Sequence, residues 1–224
     1  MDFVTVVDQA IALLRQRGRL TSLPAQRDTH EQAIELRLAL RSALMPSSDS
    51  ARILTCLHEA EALAGVLDDH HRLGQISGFL SVHFRNRGAY DQAIIAAQRT
   101  LALTTADGDG VLPALANLYL GAAYWAQGAY ARAIDCCRET VASLHGPQRL
   151  ERFGQVTLPA VQAGAFLAVC YAELGRFAAG KAFGDDGVQI AKAVTHPSSL
   201  MWACYGIGLL GLRQGDLPRA LPLL

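Results

Sequence analysis

The sequence predicts an all-α fold, an α-solenoid of antiparallel helix hairpins with about five repeats, the last one truncated. Three observations predict it. Four segments, "RNRGAYDQAI", "WAQGAYARAI", "AELGRFAAGK" and "LRQGDLPRAL", align on turn glycines Gly88, Gly128, Gly175 and Gly215, spaced 40, 47 and 40 residues apart. Self-similarity at periods of this size marks a repeat architecture. The columns around that glycine keep their size: Leu80, Leu120, Leu167 and Ile207 eight before it, small Ser81, Gly121, Ala168 and Gly208 seven before, and Ala93, Ala133, Gly180 and Ala220 five after. Finally, 51% hydrophobic and only 18% charged residues supply a large core, while 20 basic side chains balance 20 acidic ones. That balance leaves no field to draw the chain to nucleic acid, which is not expected as a partner.

Taken in order, Met1 to Arg19 reads as one helix, an N-terminal element over 1–20. Its acidic second residue and its basic charges behind the apolar stretch reverse the order of a signal peptide, so a cytoplasmic location is expected. Residues 21–28, containing Pro24, read as a linker. The repeat domain spans 29–224, in units of about 29–68, 69–108, 110–146, 155–195 and 197–224.

In the first unit, "HEQAIELRLALRSALMP" and "SDSARILTCLHEAEALAGVLDD" give two amphipathic helices, with Pro46 as breaker and Ser47 to Asp49 as cap, but no turn glycine. Atypical terminal repeats are what capping requires. In the next three units the glycine ends the first helix, the small column lets two backbones approach, and Phe84, Tyr124 and Tyr171, four before the glycine, fill the space beside them. The apolar run Leu112 to Ala131 is broken by Pro113, Asn117, Gln127 and Gly128 and belongs to the third hairpin, so no membrane span is expected. The fifth unit stops at Leu224, a few residues into its second helix. This leads us to expect a piece of a longer protein, with self-association through the last unit as a further expectation.

These columns resemble the tetratricopeptide repeat (TPR), with "LGAAYWAQGAYARAI", Leu120 to Ile134, as the best copy. The resemblance covers roughly Thr29 to Leu224, although these units exceed the usual 34 residues and lack its regular proline after the second helix. It implies a right-handed solenoid.

Several motifs suggest chemistry when read alone. "GRFAAGKA", Gly175 to Ala182, is one residue short of a phosphate-binding loop. A helical period precedes it where a strand is needed, and Ala182 has no hydroxyl for Mg²⁺. "ADGDG", Ala106 to Gly110, would open a calcium loop, but Leu118 stands at its twelfth position in place of a bidentate Glu. "DDHH", Asp68 to His71, sits at a helix junction where charge and capping groups are ordinary. Five cysteines at irregular spacing read as buried residues of a reducing compartment. No catalytic constellation, metal site or cofactor is expected.

The resemblance implies instead a concave groove lined by the first helix of each unit, open to a protein or peptide. Carried onto this sequence, the columns three and two before the turn glycine give Arg85, Asn86, Trp125, Ala126, Ala172, Glu173, Leu212 and Arg213. The column thirteen before gives Gln75, Leu115, Gln162 and Trp202, and the column ten before gives Gly78, Leu118, Ala165 and Tyr205. Trp and Arg are common at interface hot spots, which singles out Trp125, Trp202, Arg85 and Arg213. The alternative is that both tryptophans pack between units.

A longer stretch, "LRSALMPSSDSARILTCLHEAEALAGVLDDHHRLGQISGFLSVHFRNRGAYDQAIIAAQRTLAL", together with "MDFVTVVDQAIALLRQRGRL", resembles parts of large bacterial signalling proteins that join a class III adenylate or guanylate cyclase, an AAA-type ATPase and a tetratricopeptide array. Neither a cyclase's metal-binding carboxylates nor a Walker motif is present, so no catalytic residue carries over. The implied role is regulatory or sensory recognition. The alternative is a fragment of such a cyclase or ATPase whose catalytic domains lie outside these residues.

Overall fold

The structure is a computed structural model and describes residues 3–17, 23–45, 49–104 and 110–224. Among the described residues there are eleven α-helices and no strand: α1 (Phe3–Arg17), α2 (Leu23–Leu44), α3 (Ser50–Val66), α4 (His70–Asn86), α5 (Tyr90–Thr104), α6 (Val111–Ala126), α7 (Tyr130–Ser143), α8 (Pro159–Glu173), α9 (Phe177–Ala193), α10 (Pro197–Gln214) and α11 (Leu217–Ala220). Single 3₁₀ turns cover Gly146–Leu150 and Leu221–Leu223.

The four turn glycines do what the alignment requires. Gly88, Gly128, Gly175 and Gly215 all take φ between 70° and 84°. In each turn the glycine N–H donates to the carbonyl three residues back, and the next N–H reaches five back: Ala89 to Phe84 at 2.9 Å, Ala129 to Tyr124 at 2.8 Å, Arg176 to Tyr171 at 2.7 Å and Asp216 to Gly211 at 2.9 Å. This is the Schellman pattern, which satisfies the last carbonyls of a helix and needs a left-handed residue. Between hairpins the same pattern is made without glycine, by Asp68 (φ 53°) after α3 and Thr195 (φ 51°) after α9. Asp69 then caps α4 by accepting from the Arg72 N–H at 2.9 Å.

The packing columns are buried as a set. Ser81, Gly121, Ala168 and Gly208 are buried, as are Ala93, Ala133, Gly180 and Ala220. The first helices α4, α6, α8 and α10 touch in succession, and each second helix lies between its own partner and the next first helix. The second helices α5, α7 and α9 make no comparable contact with one another. One continuous layer backed by a spaced one is a solenoid whose inner, concave side carries the first helices.

Two hairpins are tied by a threonine. Thr100 on α5 donates its hydroxyl to the Gly74 carbonyl on α4, and Thr140 on α7 donates to the Ala114 carbonyl on α6, each at 3.0 Å and each side chain fully buried. The equivalent position in the fourth hairpin is Gly187, facing the Val161 carbonyl. There the tie runs to the next hairpin, because the Leu158 N–H donates to the Ser199 hydroxyl of α10 at 2.9 Å.

The N-terminal region differs from expectation. Helix α2 begins at Leu23, so residues 23–28 of the expected linker are helical. Pro24 lies in the first turn, where its missing N–H would have no intrahelical acceptor, and there proline does not break a helix. Residues 18–22 lie outside the described residues, as do Pro46, Ser47 and Ser48 of the expected breaker and cap. Helix α1 packs on α2 and contributes Val7 and Ile11 to the core. No described helix is long and apolar enough to cross a membrane.

Candidate binding groove

The concave side holds a cavity of about 280 Å³ where several elements converge: Arg41 and Met45 at the end of α2, Val82, Arg85 and Asn86 of α4, Leu118, Tyr119 and Ala122 of α6, Gln162 of α8 and Trp202 of α10. Gln155, Val156 and Thr157, from the connection between α7 and α8, form the remaining wall. Of the residues expected in the groove, Arg85, Asn86, Leu118, Gln162 and Trp202 therefore come together here.

Tyr119 occupies the middle of this arrangement because Gly78 on α4 leaves room for its ring. A Cβ at position 78 would run into the ring carbons. Burial pushes the Tyr119 phenol up to about 12, against the attraction of Arg41 and Arg85. Arg41 is buried, with its guanidinium carbon 4.0 Å from the centre of the Phe79 ring and its Nε without an acceptor. Burial lowers its pKa, partly offset by Tyr119. Burial lowers the Arg85 pKa as well, with the same offset, and this half-buried side chain donates to the Asn86 Oδ1 at 3.1 Å. Both guanidiniums stay charged, since arginine does not deprotonate in proteins.

The tryptophans belong to a different construction. Trp125 and Trp202 lie on either side of the buried Phe166, with ring centres 5.2 and 5.3 Å from it, and Trp202 meets Tyr205 edge-on at 5.6 Å. Offset and tilted rings at these separations add attraction to the area that they bury. The three rings join α6, α8 and α10, so both tryptophans pack between units while keeping one side half-buried.

The other expected residues are dispersed. Gln75 lines a separate cavity of about 230 Å³ with His71, Tyr119 and Phe153. Glu173 accepts from the Arg213 Nε at 2.7 Å and so binds α8 to α10. Gly78, Leu115, Ala165 and Ala172 are buried in contacts between helices, whereas Leu118, though buried, lines the central cavity. Ala126 and Leu212 stand on the same columns, half-buried and exposed.

At the other motifs, Gly175 is a hairpin turn and the exposed Lys181 pairs with Asp185 one helical turn on. Asp69 is engaged by Arg72, and no group of three or more potential metal ligands occurs among the described residues. Residues 105–109, with Asp107 of the calcium motif, lie outside the described residues. Burial pushes the Cys137 thiol well above its usual range and that of Cys170 up to about 12, which leaves no thiolate at neutral pH.

Arg41, Tyr119, Gln155 and Phe166 stand outside the four groove columns. A signal existed for two of them: the column nine before the turn glycine reads Phe79, Tyr119, Phe166 and then Gly206. Gln155 sits in the stretch that makes the Gly128 to Gly175 step longer than its neighbours.

No family model matches the chain, and no curated protein matches it. Among solved structures, BtubC (BKLC) from P. vanneervenii is similar, with a TM-score of 0.73 over 99% of this chain and 86% of that one, at 16% sequence identity. At that identity the likeness carries the helical architecture and nothing further.

Proposed function

We propose that this chain is a non-catalytic scaffold of tetratricopeptide-type hairpins that binds a protein or peptide in its concave groove. The observation that carries the reading is the groove itself, where side chains of α2, α4, α6, α8 and α10 converge on unfilled space instead of closing over it. Peptides selected from a random displayed library against the intact chain test it. Asn86 is exposed at the groove, so Asn86→Trp fills the groove without touching the core. Affinity is expected to fall at least about ten-fold on that variant, some 1.4 kcal/mol, with unchanged circular dichroism and melting. Peptides that bind it as tightly as the parent, or a library that yields none, would sink the reading.

The role we assign to the scaffold is sensory or regulatory, within a bacterial signalling protein. It rests on the sequence resemblance to cyclase and ATPase proteins with repeat arrays. Sequencing the coding region on both sides tests it, since an in-frame cyclase or Walker motif supports the assignment and unrelated flanking genes on both sides overturn it.

A further inference from the structure

Among the described residues, Arg41 and Arg85 differ both from the arginines that meet a carboxylate and from Arg132 and Arg176, which lie exposed over tyrosine rings. Arg37, Arg52, Arg72, Arg99, Arg149 and Arg213 each meet a carboxylate. Arg41, only 6% exposed, and Arg85 form no ion pair among the described residues, yet both open on one cavity. Removing a guanidinium from water without an anion to answer it weakens a fold. The Phe79 face offsets part of that cost for Arg41. The Nε of Arg41 still lacks an acceptor.

The rest of the cavity has the makeup of a small-molecule site. Asn86, Gln162 and Thr157 supply hydrogen-bonding groups, while Trp202 and Val156 supply apolar surface. Its volume of about 280 Å³ lies just below the roughly 300–1,000 Å³ usual for pockets that hold drug-sized ligands, which fits a smaller one. The wall contributed by residues 155–157 turns this stretch of groove into a pocket with room for a compact ligand.

The geometry points to a binding site for a small organic anion, whose carboxylate or phosphate is held by Arg41 and Arg85 and whose apolar body lies against Trp202 and Val156. Planar guanidinium groups match both oxyanions in pairs of hydrogen bonds. The inference shares this cavity with the peptide reading but does not rest on it, since a small anion needs only the enclosed portion of the groove and is tested without a peptide.

The test uses the full chain, with sodium phosphate and sodium phenylacetate as probes, against phenylacetamide and sodium chloride at matched ionic strength. Thermal unfolding and titration calorimetry are expected to show stabilisation by at least one of the two anions and by neither control. A response to phosphate alone assigns phosphoryl ligands, and a response to phenylacetate alone assigns carboxylates. Arg85→Met is expected to weaken the responding anion at least about ten-fold, while Arg132→Met, at an exposed arginine on α7, leaves it unchanged. Arg41→Met is expected to abolish the response and to raise the melting temperature of the ligand-free chain, because it removes an unanswered charge. Anion responses no larger than that to sodium chloride overturn the proposal, and so does a response retained on Arg85→Met. The Arg85 arm decides the matter whatever Arg41→Met does to folding.

Discussion

The two halves of the groove are built on opposite terms. Toward α8 and α10, Trp125, Phe166, Trp202 and Tyr205 bury rings against rings and strengthen the fold that holds them. Toward α2 and α4, Arg41, Arg85 and Tyr119 place two charges and a phenol in a poorly solvated corner, which weakens it. Tryptophan and arginine are equally good hot-spot types in a sequence, yet here folding accounts for the tryptophans and does not account for the two arginines.

The aromatic half depends most on Phe166. Phe166→Ala is expected to cost about 3–5 kcal/mol in urea unfolding, with tryptophan emission shifted to the red as both indoles lose their shared neighbour. If the loss stays below about 1 kcal/mol, far under the usual range for a buried phenylalanine, the rings do not support this half as described.

Tyr119 sharpens the other half at alkaline pH. A phenol whose folded-state pKa lies above its unfolded value contributes stability that is complete below about pH 10 and is lost as the pH rises through its folded value, about 12. Absorbance at 295 nm is therefore expected to show a late-ionising component among the six tyrosines, absent in Tyr119→Phe. The same titration profile for both chains would remove Tyr119 from the buried corner.

Smaller effects separate the hairpins that frame the two halves. Thr140→Val, which deletes the hydroxyl tie from α7 to α6, is expected to lower stability by about 1 kcal/mol. Gly187→Thr is expected to raise it by a similar amount, about 1 kcal/mol, by adding a tie and relieving a helix-interior glycine. A Cβ there would stand 3.7 Å from the Val161 carbonyl, an ordinary contact. If both substitutions shift the urea midpoint in the same direction, the tie is not what sets these hairpins apart. The smallest change belongs to Glu173→Gln, since the partner Arg213 is about half exposed and such pairs contribute roughly 0–1 kcal/mol. Whatever difference is measured should shrink in high salt.

Much of the architecture was legible in the sequence because repetition exposes what packing needs. Four glycines in one register forecast four left-handed turns, and two columns of small residues forecast two buried lines of contact. The site was legible only where it lay on those columns, as with Arg85, Asn86, Gln162 and Trp202. Arg41 was hidden because the first unit has no turn glycine, so the register could not be carried back onto α2. Trp125 and Trp202 stand in different columns, so the alignment does not show that both meet one phenylalanine. The α2 start at Leu23 was hidden by Pro24, which breaks a helix interior but opens a helix without penalty.

The switch from Thr100 and Thr140 to Gly187 also has a mechanical meaning. In the second and third hairpins the two helices are riveted, so neither can creep along the other without rupturing a hydrogen bond. In the fourth, the rivet has moved from within the hairpin to the seam with the fifth, through Leu158 and Ser199. A lengthwise load on α8 then passes by a hydrogen bond to α10, while α9 is held by the Tyr171–Phe183 ring stack and the Arg149–Asp186 pair instead of a hydroxyl tie.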